Sequence, residues 1–350
     1  MPHRLVPEGH AIPPTLFSPG KVRLRILGFL AACLIGLLAY GFWITMSAPA
    51  GTEDREIVLE IPQGFTKRQI ASYLVKEGVL RNQLPFLILS YLKGRTSLKA
   101  GEYLLRPTMS PLQIFRFLRE GKVLLHPLVV PEGFNTKDIG AALEKTGIGH
   151  AEAFIQESSN RDLLRELGIE SDRAEGYLFP DTYSFPKGTS PQIVIRRMVQ
   201  NFQKRFGPKL KARASEQGMT VHEVVTLASI IEKEAHTDTE KPLIAAVFLN
   251  RLKLQIPLQA DPTVIYSLPH FDGNIHKEDL RFDSPYNTYR YRGLPPGPIA
   301  NPGIVSLQAA LHPAPVKYLY FVSKNDGEHS FSETLQAHNR AVHKYQIKKQ

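Results

Sequence analysis

From Ile26 to Met46 the chain reads ILGFLAACLIGLLAYGFWITM, 21 positions without a charged side chain. About 20 apolar residues cross a bilayer as a helix, which satisfies its own backbone hydrogen bonds in lipid. Trp43 lies near the far end, where an aromatic belt would place it. The TMSAPAG that follows imitates a signal-peptide cleavage site, but such peptides have apolar cores of about 7–15 residues. A buried core helix is disfavoured because the run is apolar on every face. The pattern therefore predicts a retained membrane anchor over 26–46.

Beyond the anchor the pattern turns amphipathic. Residues 56–62, EIVLEIP, predict a strand, and Gly64 turns the chain. Thr66 can cap a helix through KRQIASYLVKEG, which stops at Gly78. LPFLILSYL at 84–92 predicts a second helix, and KAGEYLLRP a short strand. Ser110 and Pro111 make an N-cap and first-turn pair for PLQIFRFLREG. Further on, helices are predicted over 190–206, 208–217, 219–235 (capped by Thr220) and 239–253. From 255 onward Gly and Pro rise and periodicity falls. Residues 284–303 predict a long ordered loop, YLYFV at 318–322 a buried strand, and 333–345 a terminal helix. The fold class expected is α+β, with a helical body and loop-rich walls.

One stretch repeats. IPQGFTKRQIASYLVKEG at 61–78 aligns with VPEGFNTKDIGAALEKTG at 130–147 at a constant offset of 69. Pro62 matches Pro131, Ile70 matches Ile139, Leu74 matches Leu143 and Gly78 matches Gly147. The repeat predicts one local unit used twice, as a structural element or as two ligand-contacting modules; the second copy also suits the start of a catalytic region.

Charge sets an orientation. Lys21, Arg23 and Arg25 precede the anchor, and Glu53, Asp54, Glu56 and Glu60 follow it against Arg55 alone. The positive-inside rule puts the N-terminus in the cytoplasm, with residues 1–25 as a tail and everything past about residue 47 outside. The single cysteine, Cys33, is inside the apolar run, which leaves the exported part without disulfides or thiol chemistry. A net charge of +10 suits anionic lipid or an acidic polymer outside the cell. Nothing in the chain has zinc-finger spacing or a recognition-helix signature, so nucleic acid is not expected.

The chemistry centres on Glu232. At helical spacing it shares a face with Val221, Val225 and Ala228. A carboxyl on an apolar face must be neutral or paired. Burial favours the protonated form of a carboxyl, which suits a general acid; pairing with a lysine or arginine is the structural alternative. Glu234 points to the other face and is a possible secondary acid. EGYLFPDTYSFP at 175–186, LQADPTVIY at 258–266, SPYNTY at 284–289 and GLPPGPIANPG at 293–303 mix tyrosine, amide and carboxylate with proline turns. Such segments make good walls for a sugar groove, although Asp181 and Asp261 also fit as turn caps. His329 and His338 have no evident third ligand, so no metal is expected.

Those segments, with LASIIEKE, YLYFV and the terminal HSF and HN pieces, resemble the YceG-like endolytic murein transglycosylases over about 56–345. The resemblance implies a single N-terminal transmembrane helix, a small mixed α/β LysM-like subdomain over 56–124, and a larger helix-rich catalytic domain over 125–345. It also implies an enzyme, a lytic transglycosylase that cuts the β-1,4 bond between N-acetylmuramic acid and N-acetylglucosamine of nascent strands and leaves 1,6-anhydro ends. Glu232 is implied as the catalytic residue. Tyr183, Gln259, Asp261, Tyr286 and Asn287 are expected at the substrate, and no cofactor is needed. Peptidoglycan strands and membrane peptidoglycan synthases, the penicillin-binding proteins, are the implied partners at the bacterial cytoplasmic membrane. The alternatives are a muramidase-type hydrolase, with Asp261 or Glu234 as second carboxylate, and a non-catalytic glycan-binding scaffold.

Overall fold

The computed structural model describes residues 19–92 and 97–347, in two compact units, Met1–Leu124 and Leu125–Gln350. Residues 1–18 of the expected tail lie outside the described residues. Helix α1 (Pro19–Ser47) starts before the apolar run, so the end of that tail is helical. Among the described residues α1 is the one helix long and apolar enough to cross a membrane, and the chain is a single-pass membrane protein. From Arg23 on its side chains are exposed almost throughout; Met46, near its end, is buried.

The first unit continues with β1 (Ile57–Ile61), α2 (Lys67–Lys76), α3 (Gln83–Leu92), β2 (Gly101–Leu105) and α4 (Pro111–Glu120). Strands β1 and β2 pair antiparallel, with Leu59 opposite Tyr103. Their inward residues meet Ile70, Leu74, Phe86, Ile114, Phe115 and Leu118 in one core. Thr66 and Ser110 each form a capping box with a glutamine three residues on, as Ser/Thr before a helix with Gln at N3 should.

The second unit opens on β3 (His126–Val130), α5 (Thr136–Lys145), α6 (Ala151–Glu157) and α7 (Arg161–Glu166). The repeat is structural here: β3 and α5 reproduce the strand, turn and boxed helix of β1 and α2. The turn glycines match too, with φ of 84° at Gly64 and 80° at Gly133. Strand β4 (Asp181–Phe185) pairs with β3, and α8 (Pro191–Glu216) follows, kinked at Gly207 before Pro208.

Helix α9 (Val221–Glu234) is the centre of this unit. Every residue from Val224 to Ile231 is buried, and the helix packs on α8, α10 (Lys241–Lys253) and α12 (Ile304–Leu311). Such burial is what a helix apolar nearly all round requires; of its two buried hydroxyl residues, Thr226 and Ser229, the second accepts from Ile299 N at 3.0 Å. Residues 284–303 form no helix or strand, as expected, and two short helices, α11 (Asp261–Ser267) and α12, lie to either side of them. The expected buried strand is corrected: β5 (Tyr320–Ser323) is half-buried and pairs only with β6 (His329–Ser332). Helix α13 (Leu335–Val342) follows. All three sheets among the described residues are two-stranded, so the larger unit is helix-rich and the class is α+β.

Gly176 is where loop 175–178 touches the rest of the body. Its φ is 86°, and a Cβ there would overlap Pro298 and the Val225 side chain. Gly176→Ala should lower stability by about 2 kcal/mol through overpacking and backbone strain. Thermal unfolding of the variant would read this as a lower Tm, whereas an unchanged Tm would contradict the close approach.

Candidate active site

The C-terminal turn of α9 carries Glu232 out of the core. Its side chain is 8% exposed and meets three donors. Lys241 Nζ lies 3.1 Å from Oε1. The Gly303 N–H donates to Oε2 at 2.9 Å, and the Ser306 hydroxyl to the same oxygen at 2.7 Å. Gly303 caps α12 and Ser306 is in its first turn, so the carboxylate sits at a helix N-terminus, where backbone N–H groups favour negative charge.

Lys241 opens α10 and is 5% exposed. It also contacts Asp238 at 2.8 Å and Glu132 at 3.6 Å. Burial pulls its pKa down, but Asp238, Glu232 and Glu132 outweigh that and hold it above the ordinary lysine value. Glu132 follows β3 and lies directly over Gly303: a Cβ on Gly303 would overlap its carboxyl. Burial, then the charge of Glu232, push the Glu132 carboxyl up, with Lys241 opposing. Three carboxyls thus share one ammonium.

A buried polar network positions this cluster. Asn301, fully buried, donates to Phe134 O and to Glu175 Oε1, both at 2.9 Å, and accepts from Leu178 N at 2.9 Å. Glu175 accepts from Thr136 N at 3.1 Å and from the Tyr266 hydroxyl at 3.4 Å. Burial pushes the Glu175 carboxyl up to about 7, against those hydrogen bonds. The loops at 133–136, 175–178 and 297–303 are therefore tied together two residues before Gly303.

The sequence-predicted residues fall into separate places. Glu232 is in the cluster just described. Glu234, Gln259 and Asp261 gather instead around Arg251. Burial and the nearby Asp261 push Glu234 up to about 8, with Arg251 opposing. Arg251 Nη1 reaches Gln259 Oε1 at 3.4 Å, and the Tyr289 hydroxyl donates to Asp261. The segments 259–263 and 287–289 are locked by Thr288, whose carbonyl and hydroxyl accept from Gln259 N and Ala260 N. Asn287 is fully buried, and its amide donates to Leu280 O and Phe282 O. Tyr286 packs against Tyr266, with ring centroids 5.1 Å apart, and lines a cavity of about 340 Å³ with Arg173, Glu175 and His222. Tyr183 stands apart on β4, donates to Phe179 O and lines a different cavity of about 540 Å³ with Arg197 and Lys204. His329 pairs with Glu240 at 2.8 Å, and His338 stacks on Tyr320.

Four residues escaped the sequence reading: Glu132, Glu175, Lys241 and Asn301. A signal existed for Glu132. In the repeat its counterpart is Gln63, so the framework is kept while the charge changes. Lys241 looks like any helix-opening lysine, and Asn301 is hidden in a proline-glycine run.

The YceG-like family profile matches residues 59–344. A Bacillus subtilis protein described as an endolytic murein transglycosylase is 35% identical over 303 residues, covering 82% of this chain and 84% of its own. A Streptococcus pneumoniae protein of the same description is 29% identical over 340 residues, covering 88% of this chain but 62% of its own length. A crystal structure of a yceG-like protein from Listeria monocytogenes is 35% identical with a TM-score of 0.57, covering 81% of this chain and 98% of that one.

The raised Glu175 carboxyl predicts a pH signature. Its folded value of about 7 exceeds the ordinary 4.5, so the folded state binds this proton more tightly. That stabilisation is full below about pH 4.5 and is lost as pH rises through about 7. Glu175→Gln, which cannot ionise, should therefore gain Tm relative to the parent between pH 5 and pH 8. Parallel Tm–pH curves for the two proteins would contradict a buried, proton-holding Glu175.

Proposed function

The chain belongs to the YceG-like family, and from that premise we propose that it is an endolytic peptidoglycan lytic transglycosylase with Glu232 as its acid and base. The observation that supports the residue assignment is the position of Glu232 at the junction of three helices, where its carboxyl meets Gly303 and Ser306; its pairing with Lys241 is the arrangement that the structural alternative called for.

In this reading Glu232 donates a proton to the glycosidic oxygen, and the bond from muramic C1 to that oxygen breaks. The muramic C6 hydroxyl then attacks C1 and returns its proton to Glu232. The products are a free N-acetylglucosamine 4-hydroxyl and a 1,6-anhydro end, and no water is consumed. One carboxyl serves both steps because the acid of the first is the base of the second. The charge cluster supports this cycle. Glu132, already raised, is a proton reserve beside Glu232. When the sugar enters, Lys241 can keep its bond to Asp238 while Glu232 turns to the substrate.

A hydrolytic alternative needs a second carboxylate to activate water. Glu234 and Asp261 belong to the Arg251 group, so Glu132, which shares Lys241 with Glu232, is the residue that reading would use.

The strand–helix–helix–strand order of the first unit supports its reading as a LysM-like, glycan-associating subdomain. Flanking charge supports a cytoplasmic N-terminus and an extracytoplasmic catalytic unit. An anchored enzyme meets strands as they leave the membrane, which favours peptidoglycan synthases as partners. The Arg251 group, Tyr286 and Tyr183 are the proposed substrate-contacting surfaces.

Glu232→Gln should lower the rate of strand cleavage by about 10²–10⁴-fold, as loss of a positioned general acid does. Ser306→Ala, removing one hydrogen bond to the carboxylate, should lower it by about tenfold. Chromatography of purified uncrosslinked strands after digestion checks both. Unchanged cleavage by Glu232→Gln would overturn the assignment. Glu132→Gln separates the alternatives: it should slow the reaction yet leave anhydro ends, whereas hydrolysis would lose its water-activating base and stop.

A further inference from the structure

Helix α3 is apolar on both faces. Phe86 and Leu89 turn into the core of the first unit. On the opposite face Leu84, Ile88, Tyr91 and Leu92 are 58%, 38%, 63% and 72% exposed. A helix apolar all round is stable when both faces are covered, and exposed apolar stripes mark a binding surface. Here nothing in the chain covers the second face among the described residues.

The position of α3 says what does. Within the first unit α3 and α4 contact α1, and Met46, at the end of the membrane helix, is buried in the same core as Phe86 and Leu89. The linker that leaves α1 cannot let the unit swing away. Arg81 holds Ala50 O at 3.4 Å, Gly51 N bonds Pro107 O at 3.0 Å, and Arg106 pairs with Asp54 and Glu56. Thus α3 is fixed beside the point where α1 leaves the bilayer. Lys67 lies over the Tyr91 ring at 5.3 Å, which puts a cation and an aromatic ring together at one edge of the stripe. The same ammonium donates to Ser90 O at 2.5 Å, and an aromatic ring at the edge of an apolar stripe suits a bilayer interface.

We infer that α3 is a second membrane element: its Leu84–Ile88–Tyr91–Leu92 face lies in the lipid interface next to α1 and holds the first unit flat on the bilayer. The ligand is the lipid surface itself, with acyl chains for the stripe. This inference does not depend on the reaction proposed for Glu232.

The test uses the full chain. Trp43 is the only tryptophan, so Trp43→Phe removes the native signal. Tyr91→Trp, or separately Leu84→Trp, then places one indole on the stripe. Both sites are exposed, so folding is checked by an unchanged circular dichroism melt, and either probe suffices. The proteins are reconstituted in phosphatidylethanolamine–phosphatidylglycerol vesicles with and without brominated acyl chains. The expected result is blue-shifted emission that loses most of its intensity in brominated vesicles, at every protein-to-lipid ratio. Water-like emission without quenching would overturn the inference. So would a blue shift that bromine does not quench and that grows with protein density, because a second copy would then cover the stripe.

Discussion

The Glu175 carboxyl and the Asn301 side-chain amide are both removed from water, and each uses the other to satisfy its hydrogen-bonding groups. Buried polar groups are costly unless bonded, and a fully bonded pair specifies one arrangement of whatever carries it. What carries it here is three loops. Asn301 fixes Phe134 and Leu178, and Glu175 fixes Thr136. Gly303, two residues on, consequently presents its N–H to Glu232, and Glu132 lies over the same glycine without room for a Cβ between them. The geometry around Glu232 is thus inherited from a network that never touches it.

The charge arrangement follows from that geometry. A lone buried Glu232 would be expensive without a partner. Lys241 is shared among Glu232, Glu132 and Asp238, so no single carboxyl owns it. In the proposed reaction such sharing lets a proton move on and off Glu232 without leaving an unpaired charge in the site. The Arg251 group, with Glu234 and Asp261, is a second buried charge cluster whose raised carboxyl is balanced locally.

Much of the fold was legible because local signals and packing agreed. Thr66, Ser110 and Thr220 each begin the helix that their pattern indicates, and α9 is central because its middle is apolar nearly all round, with Thr226 and Ser229 the exceptions. The eight-residue α12 was not legible: it is too short to show a helical period and follows a proline-glycine run. In the site, Glu232 stood out as an acid on an apolar face. Lys241 did not, because only the return of α10 against α9 makes it a partner. Asn287 reads as a groove residue from its type, and its amide bonds neighbouring carbonyls. Residue type says what a side chain can bind; the path of the chain decides what it does bind.

The central claim is that an intramolecular hydroxyl, and not water, closes the reaction that Glu232 starts. Digestion of uncrosslinked glycan strands in heavy-oxygen water, followed by mass spectrometry of the new ends, tests it most directly. Muramyl ends one water lighter than reducing ends and free of the heavy label are expected. Reducing ends that carry the label at C1 would contradict it.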